Sequence, residues 1–192
     1  MAIGDTLEYV GSLSGTGSSN SIVFTGLPNT SDSFYITGMC STSNATATYL
    51  GMRFNSDSNS YYTKYELSSY SGGNLYPYAS SAYATYADVG QMPGTNANVG
   101  YGRSFFQIEV WSLSKSSISP GSPSFLSRCG GTGQGNTDSK NVWKGGSYSY
   151  TNSGGSALAP SGTDVSSIQL FVVGAGNFPT TTRFSLYRRP TS

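Results

Sequence analysis

The sequence predicts an all-β fold, a jelly-roll-like antiparallel β-sandwich, and three observations carry that expectation. No run of ten or more residues places apolar side chains at helical spacing, and strong helix formers are sparse. Short runs rich in β-branched and aromatic residues recur instead between clusters of Gly, Ser, Asn and Pro. The composition is also that of a chain that folds. Of 192 residues, 67 are Ser, Thr or Asn and 25 are Gly, a polar richness that by itself suggests disorder. Aromatics, however, make up 14%, with 15 Tyr, and the net charge is only +1, the reverse of the disordered signature.

Taken in order, the first strand is expected over 7–13, with Leu7 and Tyr9 on one face, and the second over 21–26. Pro28-Asn29-Thr30-Ser31-Asp32 reads as a turn. Residues 34–40 alternate, Phe34 and Ile36 against Tyr35, Thr37 and Met39. Residues 48–54 set Tyr49, Gly51 and Arg53 against Leu50, Met52 and Phe54, and a strand resumes at 61–67 after a polar turn. The stretch 68–102 is rich in Ser, Ala, Tyr, Gly and Asn and reads as a long excursion with one or two weak strands. Residues 105–113 form a strong strand, with Phe105, Gln107, Glu109 and Trp111 on one face and Phe106, Ile108 and Val110 on the other. A short strand at 124–129, a Gly-rich loop over 130–140 and a strand within 141–150 follow. The continuous apolar run 168–173 predicts a central strand, and 183–188 closes the domain.

These elements give about ten strands in one domain over 1–192, with a short N-terminal arm (1–6) and the excursion at 68–102. An open sheet could not cover its own apolar face, which favours a sandwich. There is no repeat of fixed period, which argues against a propeller or β-helix.

Several functions are excluded or disfavoured. The chain has no His, so His-based triads and His metal sites are impossible. The net charge is near zero and Lys and Arg are scattered, with one adjacent pair at Arg188-Arg189, which disfavours a nucleic-acid partner. No apolar run approaches the ~20 residues of a membrane helix. Met1-Ala2-Ile3-Gly4-Asp5 lacks the basic and apolar regions of a secretory signal, so Cys40 and Cys129 are expected to be buried thiols rather than a disulfide, with the bridged alternative left open. No cofactor and no metal are expected.

Four segments, in order, carry a resemblance. Leu7-Glu8-Tyr9-Val10 precedes Ser21-Ile22-Val23-Phe24-Thr25-Gly26-Leu27-Pro28. Leu50-Gly51-Met52-Arg53-Phe54-Asn55-Ser56-Asp57 continues through Ser58-Asn59-Ser60 to Tyr61-Tyr62. The strand from Phe105 to Trp111 is followed by Lys115. Finally, Ser166-Ser167-Ile168-Gln169-Leu170 leads through Asn177-Phe178 to Phe184-Ser185-Leu186-Tyr187. Their order and spacing resemble a family of small virion structural proteins of tailed bacteriophages, with an RFN-x-D turn and a C-terminal NF and F-x-LY pattern. Ser56 stands where that family prefers Gly, and Arg188 where it usually has Gly. The resemblance implies a virion component on a capsid surface, head fibre or tail fibre.

Two groups of residues are the candidates for specific roles. Asn55, Asp57 and Asn59 nearly fit a calcium loop closing at Glu66. Asn at the first position, Ser60 where Gly is required and the missing flanking helices favour a structural turn instead, with Arg53 paired to Asp57. Tyr61, Tyr62 and Tyr65, with Tyr70, Tyr76, Tyr78, Tyr83 and Tyr86, form a Tyr-rich belt suited to a contact surface. The acids Asp57, Glu66, Glu109, Asp138 and Asp164 show no pairing that would signal glycoside hydrolysis, so no enzyme is expected.

The sequence-based expectation is therefore a virion structural protein, assembled in the host cytoplasm and sited on the capsid exterior. It would decorate or cement the shell by binding the major capsid protein and copies of itself, most simply as a homotrimer. The alternative is a tail- or head-fibre domain that recognises host-surface glycans.

Overall fold

The computed structural model describes residues 7–27, 33–59, 62–69, 75–95, 102–111, 123–132, 139–148 and 165–190. The N-terminal arm lies outside them. Twelve strands are present among the described residues, and no helix. They are β1 (Glu8–Ser14), β2 (Ser21–Thr25), β3 (Ser33–Cys40), β4 (Thr48–Phe54), β5 (Tyr62–Ser69), β6 (Leu75–Ala84), β7 (Ala87–Met92), β8 (Ser104–Trp111), β9 (Ser124–Thr132), β10 (Ser139–Ser147), β11 (Ser167–Val172) and β12 (Arg183–Arg189).

The fold is all-β, as expected. Every strand pairing is antiparallel. One sheet has eight strands in the order β1-β12-β3-β8-β9-β10-β5-β6, and the other has four, β2-β11-β4-β7. An eight-strand jelly roll pairs its strands as 1-8-3-6 and 2-7-4-5. Numbering β2 to β8 as the first seven strands and β11 as the eighth reproduces both orders, with two additions. The hairpin β9–β10 is inserted between β8 and β5, and β12 and β1 extend the large sheet beyond β3. The insertion adds two strands, so the alternation of directions survives it.

Side-chain alternation explains how the sheets stack. In β8, Phe106, Ile108 and Val110 are buried while Phe105 and Trp111 face out. Ile22 and Phe24 of β2, with Leu50, Met52 and Phe54 of β4, face them from the small sheet in one continuous core. Each fully buried Phe or Leu contributes about 1.5–3 kcal/mol. The continuous run in β11 follows from its central place between β2 and β4. Ile168 and Leu170 point to the core, while on the opposite face Phe171 is covered by the Arg53 guanidinium, 4.3 Å from the ring centroid, and by the edge of Tyr86.

Two strands run through the stretch read as an excursion. β6 lines the edge of the large sheet and β7 the edge of the small one. β9 and β10 likewise extend into the Gly-rich loop expected over 130–140, leaving only 133–138 outside the described residues.

β7 is an edge strand that the large sheet holds down. Leu50 pairs with Gly90 and Gly51 with Asp88, so Val89 is the extra residue of a bulge. Side chains of the large sheet reach across the core to this strand. Ser127 Oγ donates to the Val89 carbonyl at 2.9 Å, Cys129 Sγ to the Gln91 carbonyl at 3.4 Å, and Lys144 Nζ to Asp88 Oδ2 at 2.6 Å. Edge groups that would otherwise await another strand are thereby occupied.

Both cysteines are buried and free. Cys40 pairs in register with Ser104 and Cys129 with Phe106, so the whole of β8 lies between them. Two inter-strand spacings are about 9.5 Å, more than the ~7 Å a disulfide spans. Burial pushes the Cys129 thiol up to about 11 and that of Cys40 well above its ordinary value.

Candidate contact face

The turn after β4 is built from backbone geometry first. The Asp57 N–H donates to the Phe54 carbonyl at 2.9 Å, and the two residues between, Asn55 and Ser56, have φ of 51° and 55°. Positive φ at both central positions is the pattern of a type I′ turn, here carrying the chain from the small sheet toward the large one. Asn55 Oδ1 accepts from the N–H groups of Ser166 and Ser167, at 2.9 and 3.1 Å, and ties the turn to the start of β11. Asp57 Oδ1 accepts from the N–H and Nδ2 of Asn59, and its other oxygen accepts from the Tyr148 hydroxyl. Tyr62 completes the turn, its hydroxyl accepting from the Phe54 N–H at 3.0 Å and donating to the Asp57 carbonyl at 3.1 Å. Burial pushes the Tyr62 phenol well up.

Two details differ from the sequence expectation. Arg53 does not pair with Asp57: strand alternation places it on the outer side of β4, where its Nε donates to the Thr85 carbonyl at 3.0 Å. Glu66 lies 3.0 Å from Lys144 in the interior, not beside the oxygens of Asn55, Asp57 and Asn59.

The Tyr belt divides. Tyr61 and Tyr70 lie outside the described residues. Tyr76, Tyr78 and Tyr83 belong to β6, and their side chains lie outside the described part. Tyr86 is half-buried, edge-on to Phe171 and beneath Lys64 Nζ at 3.8 Å. Tyr62 is core. Tyr65 is 60% exposed and stands on the outer face of the large sheet.

That outer face is the candidate site. The register brings Tyr9, Tyr187 and Tyr35 side by side across β1, β12 and β3, with the first two rings in edge contact at 5.7 Å. Met39 and Phe105 are paired neighbours on β3 and β8. Leu126 and Tyr65 flank Gly145, which has no side chain to fill the space between them. Trp143, 43% exposed, pairs with Leu67 on one side and Arg128 on the other, the Arg128 guanidinium 5.1 Å from its ring. Charge on the face is sparse. Glu109 is paired with Arg189 at 2.8 Å, and the Arg183 guanidinium donates to Ser12. Partial burial and the neighbouring Glu109 push the Tyr35 phenol up.

The sequence held a signal for this face that the Tyr count obscured. The outer side of 105–111 carries the large rings Phe105 and Trp111 beside Gln107 and Glu109, and Phe125-Leu126 is apolar on both sides, whereas a sheet with one solvated face alternates cleanly. Comparison with protein-family models, curated proteins and solved structures finds no match.

Proposed function

We propose that the protein is a bacteriophage virion structural protein that decorates or cements the capsid exterior by protein–protein contact, without catalysis. The observation that carries this reading is the outer face of the eight-stranded sheet. Tyr9, Tyr35, Phe105, Leu126 and Trp143 are exposed or half-exposed there, with few ions among them. Interface cores are enriched in Tyr, Trp, Phe, Met and Arg and depleted of Lys, Glu and Asp, the bias this face has. Burying such a surface strips few ions of water. The segments that resemble phage virion proteins support the same reading. The partners are the major capsid protein and further copies of the chain, as a homotrimer, so that repeated contacts add by avidity.

A second reading, a fibre domain that binds host-surface glycans, is favoured by one local arrangement. Trp143 and Tyr65 are exposed rings beside the gap at Gly145, and Arg128, then Gln107, stand next to Trp143 in register.

The test is co-sedimentation of purified protein with undecorated capsids. Replacing Trp143 and Leu126 by Ser is expected to weaken binding roughly 30-fold, the loss of about 2 kcal/mol typical of a buried aromatic anchor, with the far-UV dichroism unchanged. Undiminished sedimentation of the folded variant would remove this face as the docking surface. Glycan binding without capsid binding would select the fibre reading.

A further inference from the structure

Lys144 is the most buried cation among the described residues, with a side chain only 4% exposed. It points from β10 into the space between the sheets, where two carboxylates meet it. Asp88 Oδ2 on β7 is 2.6 Å from Nζ, and Glu66 Oε2 on β5, directly opposite in register, is 3.0 Å away. Both carboxylates are largely shielded from water, and the Tyr49 ring covers the group, its centroid 4.9 Å from Nζ. Asp88 Oδ1 accepts from the Gly90 N–H at 3.2 Å. Lys64, the other lysine near the cluster, has its Nζ over Tyr86. An amine, the carboxyl it can attack, a second carboxylate touching the amine and a backbone donor on the attacked carboxyl are thus held together, the amine nearly fully buried and the two carboxylates partly so.

We propose that Lys144 and Asp88 condense to an isopeptide cross-link joining β10 to β7, with Glu66 carrying the proton. The starting ion pair becomes a neutral amine and a neutral acid by proton transfer across the existing contact. Desolvation favours that exchange. Burial pushes the Asp88 carboxyl up, while the two carboxylates hold the Lys144 ammonium up, so the reactive pair is the minor form. Nζ then attacks Asp88 Cγ and forms the C–N bond. Glu66 takes one proton from Nζ, and the charge that develops on Oδ1 faces the Gly90 N–H. Collapse breaks the bond from Cγ to Oδ2. Glu66 returns its proton to that oxygen, which leaves as water. One ammonium and one carboxylate become one amide and one water, and nothing is oxidised or reduced. Contact between the reacting groups in the folded chain supplies the proximity that makes a slow bimolecular condensation practicable, with effective molarities on the order of 10⁵ M or more.

The experiment is intact-mass spectrometry of the full chain, purified folded and then denatured. The expected mass is that of the sequence less one water, and digestion should yield a single species joining the peptide that contains Lys144 to the one that contains Asp88. Lys144→Met should show no loss of water. Glu66→Gln should slow the appearance of the joined species about 100-fold, as removal of a proton carrier does. A wild-type chain with the full sequence mass overturns the proposal. So does a loss of water without joined peptides, which marks a cyclised aspartate. The wild-type measurement stands even if neither variant folds.

Discussion

At the scale of single residues, the turn between β4 and β5 shows how a few polar atoms fix backbone geometry. Asn55 tolerates a left-handed conformation because its short side chain can satisfy local donors, and here it takes those of Ser166 and Ser167. Ser56, at φ 55°, has no such compensation in its side-chain type. A left-handed conformation costs an ordinary residue about 1–2 kcal/mol, and Gly gives back about 0.5–1 kcal/mol in unfolded-state entropy. Ser56→Gly is therefore expected to stabilise the protein by up to about 1 kcal/mol, read as a higher urea midpoint at unchanged slope. A lower midpoint would mean that the Ser56 side chain holds the turn. The Asn and Asp of this turn were legible in the sequence because their chemistry is local. Tyr148 and the Ser166–Ser167 pair were not, since they arrive from about 90 to 110 residues away, and neither was the separation of Arg53 from Asp57.

At the scale of elements, β7 is the piece on which the sandwich closes. Its bulge turns Gly90 toward the large sheet at φ 146°, and a Cβ there would stand 2.6 Å from Cys129 Cβ and 2.7 Å from a Phe106 ring carbon. Both neighbours sit in paired strands and cannot retreat. Gly90→Ala is therefore expected to cost at least about 2 kcal/mol, from overpacking together with the disfavoured φ. The same change at Gly11, where a Cβ meets nothing within 4 Å, should be near neutral. Comparing the two variants by thermal melting separates a steric effect from a general dislike of replacing glycine. β7 and β6 were faint in the sequence because Ala, Ser, Gly and Tyr carry little alternation. They become strands through partners far along the chain, β4 for one and β5 for the other. Strong alternators such as β3, β4 and β8 were legible nearly to the residue. The exposed outer face was half legible: Tyr35, Met39, Phe105 and Trp111 were read on the right side of β3 and β8, but no side was assigned on β5, β9 or β10, and the adjacency of these residues depends on sheet order, which no local pattern encodes.

At the scale of the whole molecule, the jelly roll buries its few ionisable groups unevenly, and this sets its response to pH. Burial raises Tyr62, Cys40 and Cys129, and to a lesser degree Tyr86 and Tyr35. Each stays protonated in the folded chain at a pH where the unfolded chain has already lost the proton. The folded state then binds more protons, and stability falls as pH rises past the ordinary values of 9.0 for Cys and 10.0 for Tyr. Lys64 opposes the trend, because burial lowers it and the folded state releases its proton first. On the acid side, and only while it is not joined to Lys144, Asp88 works the other way from an ordinary paired carboxylate: burial raises its carboxyl, so acidification through its range favours the folded form. One group that resists titration in the folded state changes stability by about 1.4 kcal/mol per pH unit. Above pH ~10 the buried Tyr62 phenol and the two thiols outweigh Lys64, and the net effect is a loss of stability that becomes less steep once Cys129 itself ionises at about 11. A domain of ordinary stability, about 5–15 kcal/mol, would unfold within a few units of that point while remaining folded in mild acid. Urea titrations at a series of pH values between about 4 and 11 test this. A stability that holds level from neutral to about pH 11 would show that these phenols and thiols are solvated in the folded chain. It would also mean that the core around Tyr62 is less closed than its hydrogen bonds to Phe54 and Asp57 imply.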